Sequence, residues 1–154
     1  MRSAGFNPKQ FPHSEANALA AGAEDVLNNA KVVKTIEEAL IDSHLIIGFT
    51  ARQRELSQEH QNIRKIAKDL KNEPPQKKIA LLLGNETNGL SNNEIKHCHK
   101  LGYINSNENY SSLNLAQAVQ IICYEIRMHI SEGDGIIKLI KENELVSHEI
   151  QNGF

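Results

Sequence analysis

Two apolar runs of strand length constrain the fold of this chain more than any other feature. Residues 44–50 read His-Leu-Ile-Ile-Gly-Phe-Thr, and residues 78–83 read Lys-Ile-Ala-Leu-Leu-Leu. Neither run alternates apolar with polar residues, so both faces of each strand are expected to be buried. Continuous apolar strands of this kind are typical of parallel sheets that helices cover on both sides.

Helical patterns alternate with these strands. The capping-box spacing of Thr35 and Glu38 predicts a helix through about residue 41, and that of Ser91 and Glu94 predicts one through about residue 100. Further helices are predicted at residues 14–23, 23–30, 58–72, 113–130 and 136–150, and shorter strands at residues 32–33 and 102–105. This alternation predicts an α/β fold with a parallel sheet, in which ligands collect at the carboxyl ends of the strands.

Length and composition predict one cytoplasmic domain. A chain of 154 residues can bury a core of its own, and the composition changes after residue 132. We therefore expect a domain over residues 1–132 and a helical tail over residues 133–154. The chain has no apolar run near the roughly 20 residues that span a bilayer and no basic-then-apolar leader. Its two cysteines, Cys98 and Cys123, suit a reducing compartment and are expected to be inert core thiols.

The charge is distributed unevenly although the formal net charge is only −2. Residues 51–100 hold ten Lys and Arg against six Asp and Glu, whereas the remainder holds seven against thirteen. A basic middle could attract phosphates. The alternative is the solvated face of a helix, which applies to four cations in particular: Arg64, Lys65, Lys68 and Lys71.

The loop after the second apolar run is the first candidate for chemistry. Residues 84–91 read Gly-Asn-Glu-Thr-Asn-Gly-Leu-Ser, in which two glycines flank a polar turn. Glycines at a strand end allow the backbone to approach a ligand closely. The alternative for this loop taken alone is an ordinary strand-to-helix connection. The stretch is not a phosphate-binding P-loop, because Leu90 stands where that motif needs lysine, and it is not the dinucleotide motif G-x-G-x-x-G.

The loop after the first apolar run carries two arginines. Arg52 and Arg54 follow the buried strand directly and could hold phosphates through bidentate hydrogen bonds. The alternative is a surface ion pair with Glu55 or Glu59.

The third loop opens the long helix predicted at residues 113–130. Ser111 or Ser112 could cap this helix, which would leave Asn114 without a capping role. The amino terminus of the helix is then expected to offer free N–H groups to a carboxylate or another electron-rich ligand atom.

No metal site is predicted. The run His97-Cys98-His99 places its two histidines two positions apart, and on a helix such side chains diverge instead of sharing a face. No serine or cysteine stands at a convincing spacing from a histidine partner, and no pair of carboxylates converges on one loop.

The three loops together, in this order and at this spacing, resemble the TrmH/SpoU class of the SPOUT superfamily of RNA methyltransferases, most closely its TrmJ branch. The resemblance covers about residues 7–129. Its strongest parts are residues 48–52, residues 79–90, and Ile104 together with residues 112–119. The Asn-Pro at residues 7–8 and the Ala-Ala-Gly-Ala at residues 20–23 also look like that branch.

This resemblance implies a parallel α/β fold with a carboxyl-terminal trefoil knot, a rare exception to un-knotted folding. It implies that S-adenosylmethionine lies bent in the knot and is held by the backbone of the three loops. The matching positions are Phe49, Thr50, Ala51, Gly84, Gly89, Ile104, Ser112, Leu113 and Asn114.

The resemblance also implies an activity and partners. The activity is 2′-O-methylation of RNA ribose, with tRNA as the expected substrate, by a homodimer that needs no metal. Glu86, Arg52 and Asn114 are the implied catalytic residues, and Arg52 and Arg54 are the implied RNA contacts. The alternatives are a catalytically silent module that binds S-adenosylmethionine or RNA, or simply dimerises, and an unrelated α/β domain with chance loops.

The chain departs from the family pattern at its amino-terminal end. The family carries a catalytic arginine after its first strand, and residues 1–6 look like the end of the helix that follows that arginine. We therefore expect the first strand, this arginine and the second strand to be absent from the chain. At the other end, the chain stops near the position where an additional RNA-binding domain would begin.

Overall fold

The computed structural model describes residues 4–6, 14–18, 20–51, 59–107 and 113–131. Six strands lie in this part of the chain: β1 (Ala4–Phe6), β2 (Lys31–Val33), β3 (Leu45–Phe49), β4 (His60–Asn62), β5 (Ile79–Leu83) and β6 (Lys100–Tyr103). Six helices accompany them: α1 (Ser14–Ala18), α2 (Glu24–Asn28), α3 (Ile36–Leu40), α4 (Ile63–Leu70), α5 (Asn92–Ile95) and α6 (Leu115–Ser131). None of these helices is both long and apolar enough to cross a bilayer.

The sheet is parallel, as the sequence predicts. Strands β4, β6, β3 and β5 lie side by side in that order, and every neighbouring pair runs in the same direction. Strands β1 and β2 form a second, two-stranded parallel sheet. Strand β6 thus lies between β3 and β4, although it follows both in the chain, so the polypeptide returns to the middle of the sheet after β5.

Strand β3 is the centre of the core, and all five of its residues are buried. Its side chains alternate between two hydrophobic clusters, one on each face of the sheet. Ile46 packs into the cluster that α3 and α5 cover, whereas Leu45, Ile47 and Phe49 pack into the cluster that α4 and α6 cover. This arrangement confirms that helices cover both faces, which is why the strand shows no polar alternation in the sequence.

Both predicted capping residues begin helices. Thr35 accepts a hydrogen bond from the backbone N–H of Glu38, although the Glu38 carboxylate returns to Lys34 N–H instead of Thr35 N–H. Ser91 and Glu94 form the complete reciprocal box. Helix α5 nevertheless ends at Ile95, earlier than predicted, because the backbone from residue 100 pairs with β3.

Strand β4 corrects the prediction of a helix over residues 58–72. Residues 60–62 read His-Gln-Asn and show no apolar pattern, but they pair with β6 as an edge strand. Helix α4 begins only at Ile63, where the Asn62 side chain accepts the Arg64 N–H. The pairing is made by backbone groups, which a pattern of side chains does not report.

The amino-terminal region also differs from the prediction. Residues 4–6 form strand β1 and pair with β2, so they are not the end of a helix. The helix predicted over residues 14–23 ends at Ala18, because Ala21 and Gly22 adopt positive φ angles of 48° and 87°. Such angles do not continue a right-handed helix. The predicted tail over residues 133–154 lies outside the described residues.

Two histidine rings extend the sheet at the amino ends of its strands. The Ile46 N–H donates to His99 Nδ1 at 3.0 Å, and the His99 N–H donates to Ile46 O. His44 and Lys78 make the same reciprocal pair between β3 and β5. Each imidazole therefore occupies the position of a backbone carbonyl and satisfies a strand N–H group.

Candidate functional site

The three loops singled out by sequence meet at one edge of the sheet. Strands β3, β5 and β6 are parallel neighbours, so their carboxyl ends at Phe49, Leu83 and Tyr103 point the same way. The Thr50 N–H continues the ladder by donating to Gly102 O at 3.0 Å. The described parts of all three loops line one pocket at this edge, as the rule for parallel sheets predicts.

The second loop folds tightly on itself between two glycines. Gly89 N–H donates to Asn85 O at 2.8 Å, and the Asn85 side chain accepts the N–H groups of Thr87 and Asn88. A Cβ on Gly84 would lie 2.0 Å from the carbonyl carbon of Gly89, so only glycine fits there. Gly89 has a φ of +65°, which is the left-handed region that glycine tolerates best.

Glu86 connects the second loop to helix α6. Its Oε1 accepts the backbone N–H of Leu115, the first residue of the helix, at 3.1 Å. The two residues are 29 positions apart in the sequence. A carboxylate at a helix amino terminus is favourable because it accepts an otherwise unpaired N–H and faces the positive end of the helix dipole.

Asn114 caps helix α6, which corrects the prediction that it has no capping role. Its Oδ1 accepts the Ala116 N–H at 2.9 Å, and its carbonyl accepts the Ala118 N–H. The N–H groups of Leu115 and Ala116 are therefore already engaged by the protein. The expectation that this helix end offers free N–H groups is therefore wrong for these two positions.

The pocket has an apolar wall and a polar rim. Its apolar lining comes from the strand ends and from the inner face of α6: Phe49, Leu83, Ile104, Leu113, Leu115, Ala118 and Ile122. The remaining lining residues are Thr50, Ala51, Gly84, Asn85, Glu86, Thr87, Asn88, Gly89 and Tyr103. Such a cleft suits a ligand that has one flat, weakly polar part and one strongly polar part.

Comparisons with known proteins agree with this geometry. Residues 5–124 match the SpoU rRNA Methylase family. The chain belongs to this family. A tRNA (cytidine/uridine-2′-O-)-methyltransferase TrmJ of Salmonella typhimurium is 45% identical over 122 residues, which are 79% of this chain and 50% of that protein.

Two solved structures, each named a probable methylase or methyltransferase, superpose closely on this chain. A probable methylase family protein from Haemophilus influenzae Rd KW20 gives a TM-score of 0.76 at 38% identity and covers 91% of this chain and 55% of its own. A probable methyltransferase from Bordetella pertussis Tohama I gives a TM-score of 0.75 at 36% identity, and the match covers 84% of this chain and 79% of that protein. The chain spans about half the length of the curated relative from Salmonella.

The structure brings most of the expected cofactor positions of this SpoU-family chain together. Seven of the nine line the pocket: Phe49, Thr50, Ala51, Gly84, Gly89, Ile104 and Leu113. Asn114 lies next to this lining, at the start of α6. Ser112 lies outside the described residues, and so do Arg52 and Arg54.

Sequence reasoning missed the part of the pocket that α6 supplies. Leu115, Ala118 and Ile122 line it at helical spacing, and Ile122 is almost completely buried. All three belong to an apolar stripe that the sequence shows at helical spacing, together with Val119, Ile126 and Ile130. Such a stripe predicts a helix but does not say whether it faces the core or a cavity. Tyr103 was missed because it is the last residue of a strand whose predicted position was two residues late.

The run at residues 97–99 divides among three separate environments. His97 Nε2 lies 3.3 Å from a Glu37 oxygen, and the His99 ring extends the sheet. Cys98 is buried in the core, as predicted, and burial, assisted by the charge of Glu94, raises the pKa of its thiol to about 11. Within the described ranges, no group of three or more potential ligands could hold a metal ion.

Two members of the basic stretch are occupied by ion pairs on the surface. Arg64 contacts Glu125 at 3.1 Å, and Lys65 contacts Glu59 at 3.4 Å. The side chains of Arg64 and Lys65 are largely exposed, and neither residue lines the pocket. These contacts favour a solvated helix face over a built phosphate site.

Proposed function

We propose that the pocket binds S-adenosylmethionine and that the chain transfers its methyl group to a ribose 2′-hydroxyl of RNA, with tRNA as the first candidate. The observation that carries the proposal is the convergence of three strand ends on one pocket in a chain of the SpoU rRNA methylase family. The Salmonella relative carries the matching activity in its name. We expect the protein to act in the cytoplasm, where tRNA is modified.

The pocket fits the proposed methyl donor. Its apolar wall, which includes Ile104 and Leu113, can cover an adenine ring, and the exposed polar groups of the second loop can face the ribose and amino-acid ends. The side of Gly89 that would carry a Cβ is open, so a ligand can approach the backbone there. S-adenosylmethionine supplies a sulfonium-bound methyl group that is already activated for transfer.

The role of the protein is then to position and orient the methyl donor and the ribose 2′-hydroxyl. A ribose 2′-hydroxyl must meet the methyl group in line and lose its proton as it attacks, so a base or a favourable field near the rim is needed. We propose Arg52 and Asn114 as catalytic residues, and Arg52 and Arg54 as the RNA contacts. Glu86, the third residue that the resemblance implies, already accepts the Leu115 N–H, and we propose that it positions the pocket instead. Guanidinium groups bind phosphates bidentately, which suits an RNA backbone.

We also propose that the chain is knotted around this pocket. The order β4-β6-β3-β5 supports a knot, because β6 enters the sheet between two earlier strands. The packing of α6 against α4, with Ile122 and Ile126 in the shared cluster, supports it further. A crystal structure of the protein tests this proposal. A path in which β6 and α6 do not pass through the segment that joins β3 to β4 would contradict it.

A homodimer is the proposed assembly, formed through the outer face of α6. Tyr124 and Ile130 are 57% and 55% exposed on this helix, and Ala116 and Ile121 add apolar surface. Large exposed apolar side chains grouped on one helix are typical of interfaces. We expect a dimer in sedimentation analysis and a shift to monomer for Tyr124→Glu. A wild-type monomer would contradict the proposal.

A titration and a transfer assay test the proposed function together. Calorimetry with S-adenosylmethionine measures binding, and tritiated methyl transfer to bulk tRNA measures activity, with a 2′-deoxy oligonucleotide as the inert substrate. Ala118→Leu should block both because it fills the pocket from α6. Ala23→Leu, which makes the same substitution at an exposed position outside the pocket and outside α6, should change neither.

Each outcome has a distinct meaning. Binding with transfer to tRNA supports the proposed enzyme. Binding without transfer supports the alternative of a silent cofactor-binding module. The absence of binding contradicts both, and equal behaviour of the two leucine variants would show that the ligand binds elsewhere.

A further inference from the structure

The second loop and helix α6 both line the pocket, and among the described residues one side-chain hydrogen bond joins them. Glu86 Oε1 accepts the N–H of Leu115, and both residues line the pocket. We infer that Glu86 is a positioning residue: its carboxylate clamps the second loop to the first turn of α6, and this clamp sets how tightly the pocket holds the methyl donor. The inference rests on the proposed function.

The clamp acts on parts of the pocket that the sheet does not fix. The second loop leaves the sheet after Leu83, and Leu113 and Asn114, which directly precede α6, belong to no strand. The loop is braced internally by Asn85, but those bonds lie within residues 85–89 and do not reach the helix. The Glu86 carboxylate therefore holds the opening at one width before any ligand arrives, which lowers the ordering that binding requires.

The geometry indicates positioning instead of proton abstraction. One carboxylate oxygen of Glu86 is engaged by a backbone N–H, and the residue sits at the positive end of a helix dipole. Asn114 accepts the adjacent Ala116 N–H, so the two side chains together cap two N–H groups in the first turn of α6. A general base must instead contact the reacting hydroxyl.

Two substitutions of Glu86 separate these roles. Glu86→Gln keeps an oxygen that can accept the Leu115 N–H, whereas Glu86→Ala removes it. We expect Glu86→Ala to weaken S-adenosylmethionine binding about ten-fold, with kcat at saturating donor within about two-fold of wild type. Glu86→Gln should restore affinity to within about three-fold of wild type. A base would show the reverse: unchanged binding, and a loss of kcat in both variants.

Leu115, which donates the N–H of this hydrogen bond, offers a matched pair of variants. Leu115→Pro removes the N–H at the first helical position, where proline is well tolerated, and Leu115→Ala shortens the side chain but keeps the N–H. We expect Leu115→Pro to bind the donor less tightly than Leu115→Ala. Combining Glu86→Ala with Leu115→Pro should weaken binding no further than either change alone, because both remove the same bond.

Hydrogen exchange of the Leu115 amide tests the clamp without any cofactor. The amide should be protected in wild type and in Glu86→Gln and should exchange faster in Glu86→Ala, while amides of β3 stay unchanged. Equal exchange in all three proteins would overturn the clamp. If wild type fails to bind the donor, the proposed function fails, but the exchange result still decides whether the clamp exists. Normal binding by Glu86→Ala would refute the inference alone.

Discussion

The amino termini of α5 and α6 begin at the same edge of the sheet but are completed in different ways. At α5, Ser91 and Glu94 satisfy each other's backbone N–H groups within four consecutive residues. At α6, Asn114 satisfies one N–H locally, and Glu86 satisfies another from 29 positions away. The first terminus is a local motif, whereas the second depends on tertiary structure.

This difference separates stability from function. A local cap stabilises its helix wherever the helix lies, so its loss should lower the free energy of unfolding and leave the pocket intact. A remote cap also fixes the distance between two segments, so its loss should change the pocket more than the stability. The following substitutions test this separation.

The largest effect is expected at Gly84, because the loop that it anchors leads into α5 and carries Glu86. Gly84→Ala would place a Cβ 2.0–2.3 Å from backbone atoms of Gly89 and Leu90, and backbone cannot move away as a flexible side chain can. We expect a loss of about 3 kcal/mol in the free energy of unfolding, measured by chemical denaturation.

Gly89→Ala serves as the control for Gly84→Ala. Its Cβ would meet nothing within 4 Å, so only the positive φ opposes the change, by about 1–2 kcal/mol. Equal losses for the two alanine variants would contradict the idea that close backbone approach is what requires Gly84.

A smaller effect on stability is expected at His99, whose ring accepts the N–H of Ile46, a residue 53 positions away in the sequence. His99→Leu leaves the Ile46 N–H without its partner in a part-buried position and should cost about 2 kcal/mol of stability. His99→Asn, whose amide oxygen can occupy nearly the position of Nδ1, should recover most of this loss. Identical thermal denaturation of both variants would refute the acceptor role.

Removal of the local cap at α5 should be milder still. Ser91→Ala should lower the free energy of unfolding by about 1 kcal/mol and leave the affinity for S-adenosylmethionine unchanged. Glu86→Ala should instead weaken binding of S-adenosylmethionine and change the free energy of unfolding less. If Ser91→Ala weakened binding as much as Glu86→Ala, local and remote caps would not differ in the way that we infer.

The smallest effect is expected for a remote contact outside the pocket. Arg64 pairs with Glu125 across 61 positions and joins α4 to α6, but its side chain is 76% exposed. Arg64→Ala should therefore change the stability by only about 0.5 kcal/mol, and donor binding should not change. A large change in binding would mean that the α4–α6 contact controls the pocket.

The sequence was informative wherever its signal is local. The strand positions of β3 and β5 and the caps at Thr35 and Ser91 are confirmed, because burial and capping leave a mark on neighbouring residues. The expected burial of both faces is confirmed for β3 but is wrong for β5, which is half-buried because it is the last strand on its side of the described sheet. The predictions were wrong at strand β4 and at the end of α5, because backbone pairing with distant strands determines the structure there. That pairing overrides what side-chain patterns in the sequence favour.

The candidate site likewise has parts that local sequence predicts and parts that it does not. The loops at residues 49–51 and 84–89 could be predicted, because a polar turn after a buried parallel strand indicates a ligand site. The contribution of α6 and the bond between Glu86 and Leu115 could not, since no local spacing relates positions 29 residues apart. Asn114 was misjudged because the helix begins one residue after it, two residues later than predicted.

Hydrogen exchange measured by mass spectrometry, with and without S-adenosylmethionine, tests most directly whether three separate segments hold one methyl donor. We predict that saturating donor slows exchange at residues 49–51, 84–89 and 113–118 together, and leaves α2 and β2 unchanged. Protection of only one segment, or protection away from this edge of the sheet, would contradict the account.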